Sequence, residues 1–288
     1  MTGPKLGDSE KAESFSERFL ERIDEIPTLP RVVLRVVELC NDPMSTMGQF
    51  DQAFASDAAL ASKVLSLVNS AYFALPRPVS SISRAVTFLG FTAVRAVALS
   101  IGANQVLRPV FDTQDWEEFW IHSVATSETA RLVSHAVRIG SPDDAQAAGL
   151  FHDLARFLLP VYFPEEAAEL IRAGNGLGDP VREQELLGTD HGVLGALLVA
   201  RWKLPRSVVG GVRNHHGGND LLKSDPTALA LHVAEHLTFR WGLPFCDRGL
   251  AKEPLPAAQP ILETWAEDLA KLEPRVRERL DHAQRVLG

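Results

Sequence analysis

The sequence predicts an all-α protein arranged as a two-lobed helical bundle. Three observations carry that reading. Apolar residues recur at spacings of three and four along most of the chain, no stretch of any length alternates like a strand, and Pro, Ser and Asp stand where helices would open. Residues 1–13 are polar and contain Gly3, Pro4, Gly7 and Asp8, so they read as a flexible extension. An N-terminal helical lobe is expected over residues 14–110. Its first stripe is Val33, Val36, Val37 and Cys40, after Pro27 and Pro30, and its second is Leu60, Val64, Leu67 and Val68, with Ser56 and Asp57 as caps. Val86 and Leu89, then Val94, Val97, Ala98 and Ile101, predict two short helices broken near Gly90.

A boundary near Pro109–Gln114 opens a second lobe over residues 111–245. Helices are expected there over residues 116–137, over 143–159 with Pro160 ending the latter, and over 164–172. The run Gly174-Asn175-Gly176-Leu177-Gly178-Asp179-Pro180 is a break, and further helices start at Asp190, Pro205 and Pro226. Residues 246–288 form a C-terminal helical tail. Its charged, amphipathic character from Ile261 to Leu287 suits a packing helix or a homo-oligomer contact.

Composition excludes several classes. With 45% apolar and 23% charged residues, disorder is not the dominant state. A net charge of −8 and the lack of a recognition-helix pattern argue against nucleic acid as a partner. Two cysteines, Cys40 and Cys246, make no disulfide framework and fit a reducing, cytoplasmic setting, where each reads as a small buried hydrophobe. The longest apolar stretch, Ala85–Leu107, carries Arg95 at its middle. A central Arg costs roughly 2.5–3.5 kcal/mol in a bilayer, so a buried helical pair is expected rather than a membrane span. No secretory signal is visible at the start.

All nine histidines lie at or after position 122, so any metal or acid–base chemistry belongs to the second lobe. The sharpest element is His152-Asp153, set among Ala147, Leu150, Leu154, Phe157 and Leu158. Burying such a pair is costly unless both groups are satisfied. Neighbours on a helix project about 100° apart and can reach one ion between them, and imidazole with carboxylate suits Fe, Mn, Zn or Ni. The plainer alternative is a hydrogen-bonded pair that keeps two helices in register. His122 comes from another helix, with Glu118 one turn before it as a weaker candidate. His191 precedes Gly192, Gly195 and Ala196, which permit close helix approach. His215 and His216 stand at a helix end, where they could also simply cap carbonyls, and Glu235 lies on a mostly apolar helix. Arg156 is a candidate phosphate contact, with a surface ion pair as its alternative. His135, His232, His236 and His282 read as ordinary, Trp116, Trp120, Trp202 and Trp241 as packing residues, and Asn69–Phe73 as a helix close.

The ordered pattern His122, His152-Asp153, His191, His215-His216 and Glu235 resembles the HD superfamily of metal-dependent phosphohydrolases, and most closely its HDOD branch. The resemblance runs from about Ile26 to about Phe239. It is carried also by Ile26-Pro27-Thr28-Leu29-Pro30, by Asp57 through Phe73, by Ser81 through Gly90, by Ala148 through Leu154, and by His191 through Pro205. It implies an HD-like helical second lobe and a ligand set of His122, His152, Asp153, His191, His215, His216 and Glu235 around one or two divalent ions. Three departures stand out, one of them Glu235 at a ligand position that is usually Asp, where the extra methylene moves the carboxylate. Ala155-Arg156 replace the Gly-Lys of active HD-GYP relatives, and Gly217-Gly218-Asn219-Asp220 replace Gly-Tyr-Pro. The family resemblance therefore implies a bacterial signal-transduction output module that acts through signalling protein partners, with a metal or nucleotide as candidate ligand and without turnover. The alternatives are a metal-dependent phosphodiesterase acting on cyclic nucleotides or dinucleotides, and a regulator whose pocket binds such a ligand and shifts conformation.

Overall fold

The protein is described from a computed structural model over residues 15–69, 77–110, 113–173, 177–243 and 253–287. All regular structure among them is helical. The polar extension, Cys246, and residues 70–73 of the Asn69–Phe73 stretch lie outside the described residues, as do residues 111–112 of the expected boundary and 174–176 of the glycine-rich loop. Two compact units emerge. One comprises the described residues up to Ile26 together with Glu117–Pro274; the other comprises Pro27–Trp116 and the described residues from Arg275.

In the unit that begins at Pro27, α2 (Arg31–Asn41) buries Val32, Val33, Val36, Val37 and Leu39. Its first turn is set by Pro30, whose carbonyl accepts from the Val33 and Leu34 amides. A capping box of Thr46 and Gln49 opens α3 (Met47–Ala55). Asp57 Oδ1 accepts from the Leu60 amide at 2.9 Å to open α4 (Ala58–Val68). The stretch Ile82–Leu107, α5, holds the sharp bend expected at Gly90, whose φ of 82° and ψ of 165° lie outside the helical region. Arg95 is buried there and donates to Asn41 Oδ1 at 3.1 Å. No single helix among the described residues is long and apolar enough to cross a membrane. Cys40 is only half buried, with its thiol donating to the Phe91 carbonyl, which corrects the expectation of a fully buried residue.

The histidine-bearing unit starts from residues 15–22, α1, whose Phe15 and Phe19 pack on Phe163. Its frame is α6 (Thr113–Val137), α7 (Pro142–Phe151), α8 (Leu154–Tyr162), α9 (Pro164–Arg172), α10 (Pro180–Leu187), α11 (His191–Arg201), α12 (Arg206–Asn214), α13 (Asn219–Ser224) and α14 (Pro226–Arg240). Side-chain caps set the starts. Ser141 opens α7, Asp179 opens α10, Asp190 opens α11 and Asp225 opens α14. The chain ends in α15 (Gln259–Thr264), α16 (Ala266–Ala270) and α17 (Leu272–Leu287). The Trp residues pack as expected: Trp116, Trp120 and Trp202 are buried, and Trp202 meets the Phe151 ring edge-on at 5.4 Å.

One expected helix is two. The segment 143–159 breaks at His152 and Asp153, which form the turn between α7 and α8. Pro160 does not end α8, which runs to Tyr162. A proline seven residues into so short a helix removes one i→i−4 bond, the one to the Arg156 carbonyl, and Pro160 itself is exposed.

Candidate metal centre

The site is assembled by close helix approach. A Cβ on Gly149 would lie 2.7 Å from Ser127 Cα, so only glycine lets α7 lie against α6 at the level of His122 and His152. Ser127 Oγ donates to the Gln146 carbonyl at 2.7 Å across the same contact. A Cβ on Gly192 would lie 3.0 Å from the Val212 carbonyl, and here α11 meets the end of α12, bringing His191 to His215. Gly149→Ala should therefore cost about 1–3 kcal/mol, the usual range for overpacking against a backbone that cannot yield. Denaturant unfolding checks it; a variant as stable as the parent would contradict the contact.

Every imidazole of the cluster points Nε2 inward. His122 Nδ1 donates to the Leu243 carbonyl (3.2 Å), His152 Nδ1 to the Gly149 carbonyl (2.8 Å), and His215 Nδ1 to the Val212 carbonyl (2.6 Å). His191 Nδ1 donates to Glu183 Oε2 at 2.6 Å. A carbonyl or carboxylate can only accept, so these partners hold a hydrogen on Nδ1 and leave Nε2 facing the centre, as a bare lone pair wherever the ring is neutral. The inward atoms are crowded: Nε2 to Nε2 is 3.2 Å for His122–His152, 3.3 Å for His191–His215 and 3.0 Å for His191–His216. Two bare lone pairs at such distances repel unless a proton or cation lies between them. Around an ion with N–metal bonds of about 2.0–2.1 Å, ligand atoms fall about 2.9–3.4 Å apart, so the spacing fits a divalent transition metal.

Asp153 sits at the middle of the set, with Oδ1 3.3 Å from His191 Nε2, 3.6 Å from His152 Nε2 and 4.0 Å from His215 Nε2. Its Oδ2 lies 3.6 Å from His122 Nε2 and is bound by the Arg156 guanidinium. Oδ1 is buried and accepts no hydrogen bond from any described residue, the orphaned acceptor that an ion would satisfy. Two groups of mutually close ligand atoms share this carboxylate: Asp153 with His191, His215 and His216, and Asp153 with His122 and His152. The buried clusters could thus hold a metal.

Of the residues singled out in the sequence, His122, His152, Asp153, His191, His215 and His216 come together. Glu235 reaches the edge, with Oε1 3.5 Å from His152 Nε2 and its side chain 19% exposed. Glu118 does not arrive. It is exposed on α6 and is absent from both groups of mutually close ligand atoms. Arg156 is neither on the surface nor free to meet a phosphate: it is buried, with one nitrogen on Asp153 and another donating to the Leu177 carbonyl at 2.9 Å. His135 is exposed. Two further residues support the site: Glu183, and His232, which corrects the expectation of an ordinary histidine. Glu183, 1% exposed, accepts from the His191 amide at 2.8 Å as well as from its ring, and from the Gly178 amide at 3.1 Å. His232 donates from Nδ1 to the His215 carbonyl and accepts at Nε2 from the Leu255 amide. The helix α10 holds several polar side chains, and the only sequence signal for Glu183 is its place one turn before Leu187 on the inner face.

Burial sets the electrostatics. Desolvation pushes the His122 imidazole down to about 4, aided by the neighbouring His152, and pushes His215 to about 4 against the pull of Glu235. Burial acts the same way on His191, but Glu183 and Asp153 outweigh it and hold that ring up at about 10. Asp153 stays well below the usual carboxylate range despite burial, chiefly through Arg156. In chelator-stripped protein, His122 and His215 gain protons on unfolding between pH 6.5 and about 4, so stability should fall as pH falls through that window. His191 has the opposite sign: its proton stabilises fully below pH 6.5, and that contribution is lost as pH rises toward 10. Thermal unfolding across pH 4–10 should show a maximum near neutrality, whereas a monotonic rise or fall would contradict these assignments.

Fold and site together define an all-helical protein with a buried centre of imidazoles around one carboxylate. Residues 26–217 match the HDOD domain family, and the chain belongs to it. An uncharacterized protein of Treponema pallidum (strain Nichols) is 28% identical over 200 residues, covering 68% of this chain but only 38% of that protein, so the chain spans well under half the length of that relative. Among solved structures, a Shewanella amazonensis SB2B protein named "Putative phosphohydrolase" aligns with a TM-score of 0.70 at 24% identity, covering 92% of this chain and 97% of that one. A Geobacter sulfurreducens HDOD domain protein of unknown function aligns with a TM-score of 0.65 at 20% identity over 93% and 98% of the two chains. At such identities the likeness is one of fold.

Proposed function

We propose that this HDOD protein is a signal-transduction output module that carries a divalent transition metal in its histidine centre and acts through contacts with a signalling protein partner. The observation that carries the metal is the set of inward Nε2 atoms around Asp153, each ring whose outer nitrogen is placed being held by an acceptor. The regulatory role rests on family membership and on Arg156, which is turned onto Asp153 rather than toward a substrate. His122, His152, Asp153, His191, His215 and His216 would hold the metal, with Glu235 at its margin. Iron, manganese, zinc and nickel all suit this donor set. We further propose a cytoplasmic setting and a nucleotide as candidate small ligand.

A second reading, a phosphohydrolase acting on cyclic nucleotides or dinucleotides, is favoured by one feature: His216 and Glu235 are only partly buried, which gives the centre an accessible side. An ion there would supply Lewis acidity toward a phosphoryl oxygen. One experiment separates the two. Protein purified without a metal-binding tag is analysed for metal and incubated with bis(p-nitrophenyl) phosphate and cyclic dinucleotides. The regulatory reading expects bound metal and no turnover above a His152→Ala/Asp153→Ala variant. Turnover by the parent that this variant lacks would favour the hydrolase, and metal-free protein would remove both.

A further inference from the structure

The two ligand groups that share Asp153 are not equivalent. The group of Asp153, His191, His215 and His216 offers four close ligand atoms, whereas that of Asp153, His122 and His152 offers three. The two carboxylate oxygens also differ. Oδ1 faces His191, His152 and His215 and accepts no hydrogen bond from a described residue, while Oδ2, the oxygen nearest His122, carries the Arg156 guanidinium. Guanidinium keeps its charge at any pH a protein survives. It is 3% exposed and tied on its other side to the Leu177 carbonyl, so it cannot easily swing away. A second cation on the His122 side would have to take Oδ2 beside this fixed positive charge, or share Oδ1 with the first ion, in a site where water screens neither repulsion.

The outer partners deepen the difference. Behind His191 stands a carboxylate, Glu183, buried, 2.6 Å from Nδ1 and anchored by the His191 and Gly178 amides. His122 and His152 turn their outer nitrogens to the neutral carbonyls of Leu243 and Gly149, as His215 does to that of Val212. An anion on the far nitrogen makes an imidazole a better donor than a carbonyl does. Glu235 brings a carboxylate near that side, with Oε1 3.5 Å from His152 Nε2, but it lies outside the mutually close set and its side chain is 19% exposed, so solvent screens its charge.

We propose that the centre holds one ion tightly, on Asp153 Oδ1 with His191, His215 and His216, and that Arg156 keeps a second ion from the His122–His152 side. Arg156 and Glu183 are then opposed positioning residues: one withholds an oxygen from the weaker position, and the other strengthens the donor of the tighter one. This rests on the metal-holding reading above. It adds the stoichiometry, the location and the residues that set them.

The test is a calorimetric titration of the full chain, stripped by chelator, with Co²⁺, whose visible absorption also reports the ligand set. The parent should take one tight equivalent, with any second step at least ten-fold weaker. Arg156→Met should tighten the second step by about ten-fold or more and leave the first nearly unchanged. Glu183→Gln should weaken the first by roughly 10–100-fold, the range for lost outer-shell partners, and leave the second alone. His122→Ala should keep the first step and its absorption bands. Parent protein taking two ions with equal affinity would overturn the proposal while leaving the metal-holding reading intact; so would Arg156→Met and Glu183→Gln each leaving both steps in place. Parent protein taking no ion would overturn both readings. Helical circular dichroism of Arg156→Met verifies folding, and Glu183→Gln decides the matter if that variant fails to fold.

Discussion

Replacing Asp153 by Ala should both empty the centre of metal and destabilise the protein by about 3–5 kcal/mol, the usual cost of removing one member of a buried ion pair. The member left behind is Arg156, 3% exposed, which loses the carboxylate it binds directly. Charge rather than lost packing is the reason, so a compensating change should separate the two effects. Asp153→Ala/Arg156→Met removes both charges and should recover most of the stability without recovering the metal. Denaturant unfolding with metal analysis reads both quantities. A single variant within 1 kcal/mol of the parent would show that the pair is not buried as described, and metal retained in either variant would show that Asp153 is not a ligand.

Chelation should have the second largest effect. An ion present at 1,000 times its Kd adds about 4.1 kcal/mol to the folded state. For a chain of this size that corresponds to a shift in melting temperature of roughly 8–16 °C. The direction follows from the site: with no cation, the bare Nε2 atoms 3.0–3.3 Å apart face one another with only protons to relieve them. Stripping and then restoring the metal should lower and then recover the midpoint in the parent, and do neither in His152→Ala/Asp153→Ala. An identical midpoint with and without chelator would mean that no ion contributes to the fold.

Much of the helical frame is legible in the sequence, because local chemistry sets it. Asp190, Pro205 and Pro226 mark helix starts to within a residue, as their capping and φ preferences require. Gly90 marks the bend in α5 because only glycine adopts its φ without strain. The break at His152-Asp153 leaves no such mark. Apolar residues continue at helical spacing on both sides, and His152 itself keeps helical backbone angles, so that only Asp153 departs from them. The convergence of six site residues was readable only from their order along the chain, through family resemblance. Periodicity places each on a helix but says nothing about which helices meet. Glu118 shows the limit of such spacing: it is one turn from His122, yet it stays exposed. Glu183 and the burial of Arg156 were beyond reach for a related reason. Glu183 shares α10 with the solvent-facing Arg182 and Glu185, and packing between helices selects which of them turns inward; Arg156 is the lone charge on α8, and its partners Asp153 and Leu177 are set by the turn and by a distant loop.

Anomalous X-ray diffraction from crystals of tag-free protein, measured at the absorption edge of the metal found by elemental analysis, tests the centre most directly. A single strong peak is expected about 2.0–2.3 Å from the Nε2 atoms of His191, His215 and His216 and from Asp153 Oδ1. A map of metal-replete crystals with no peak among these atoms, or with its strongest peak elsewhere in the protein, would contradict it.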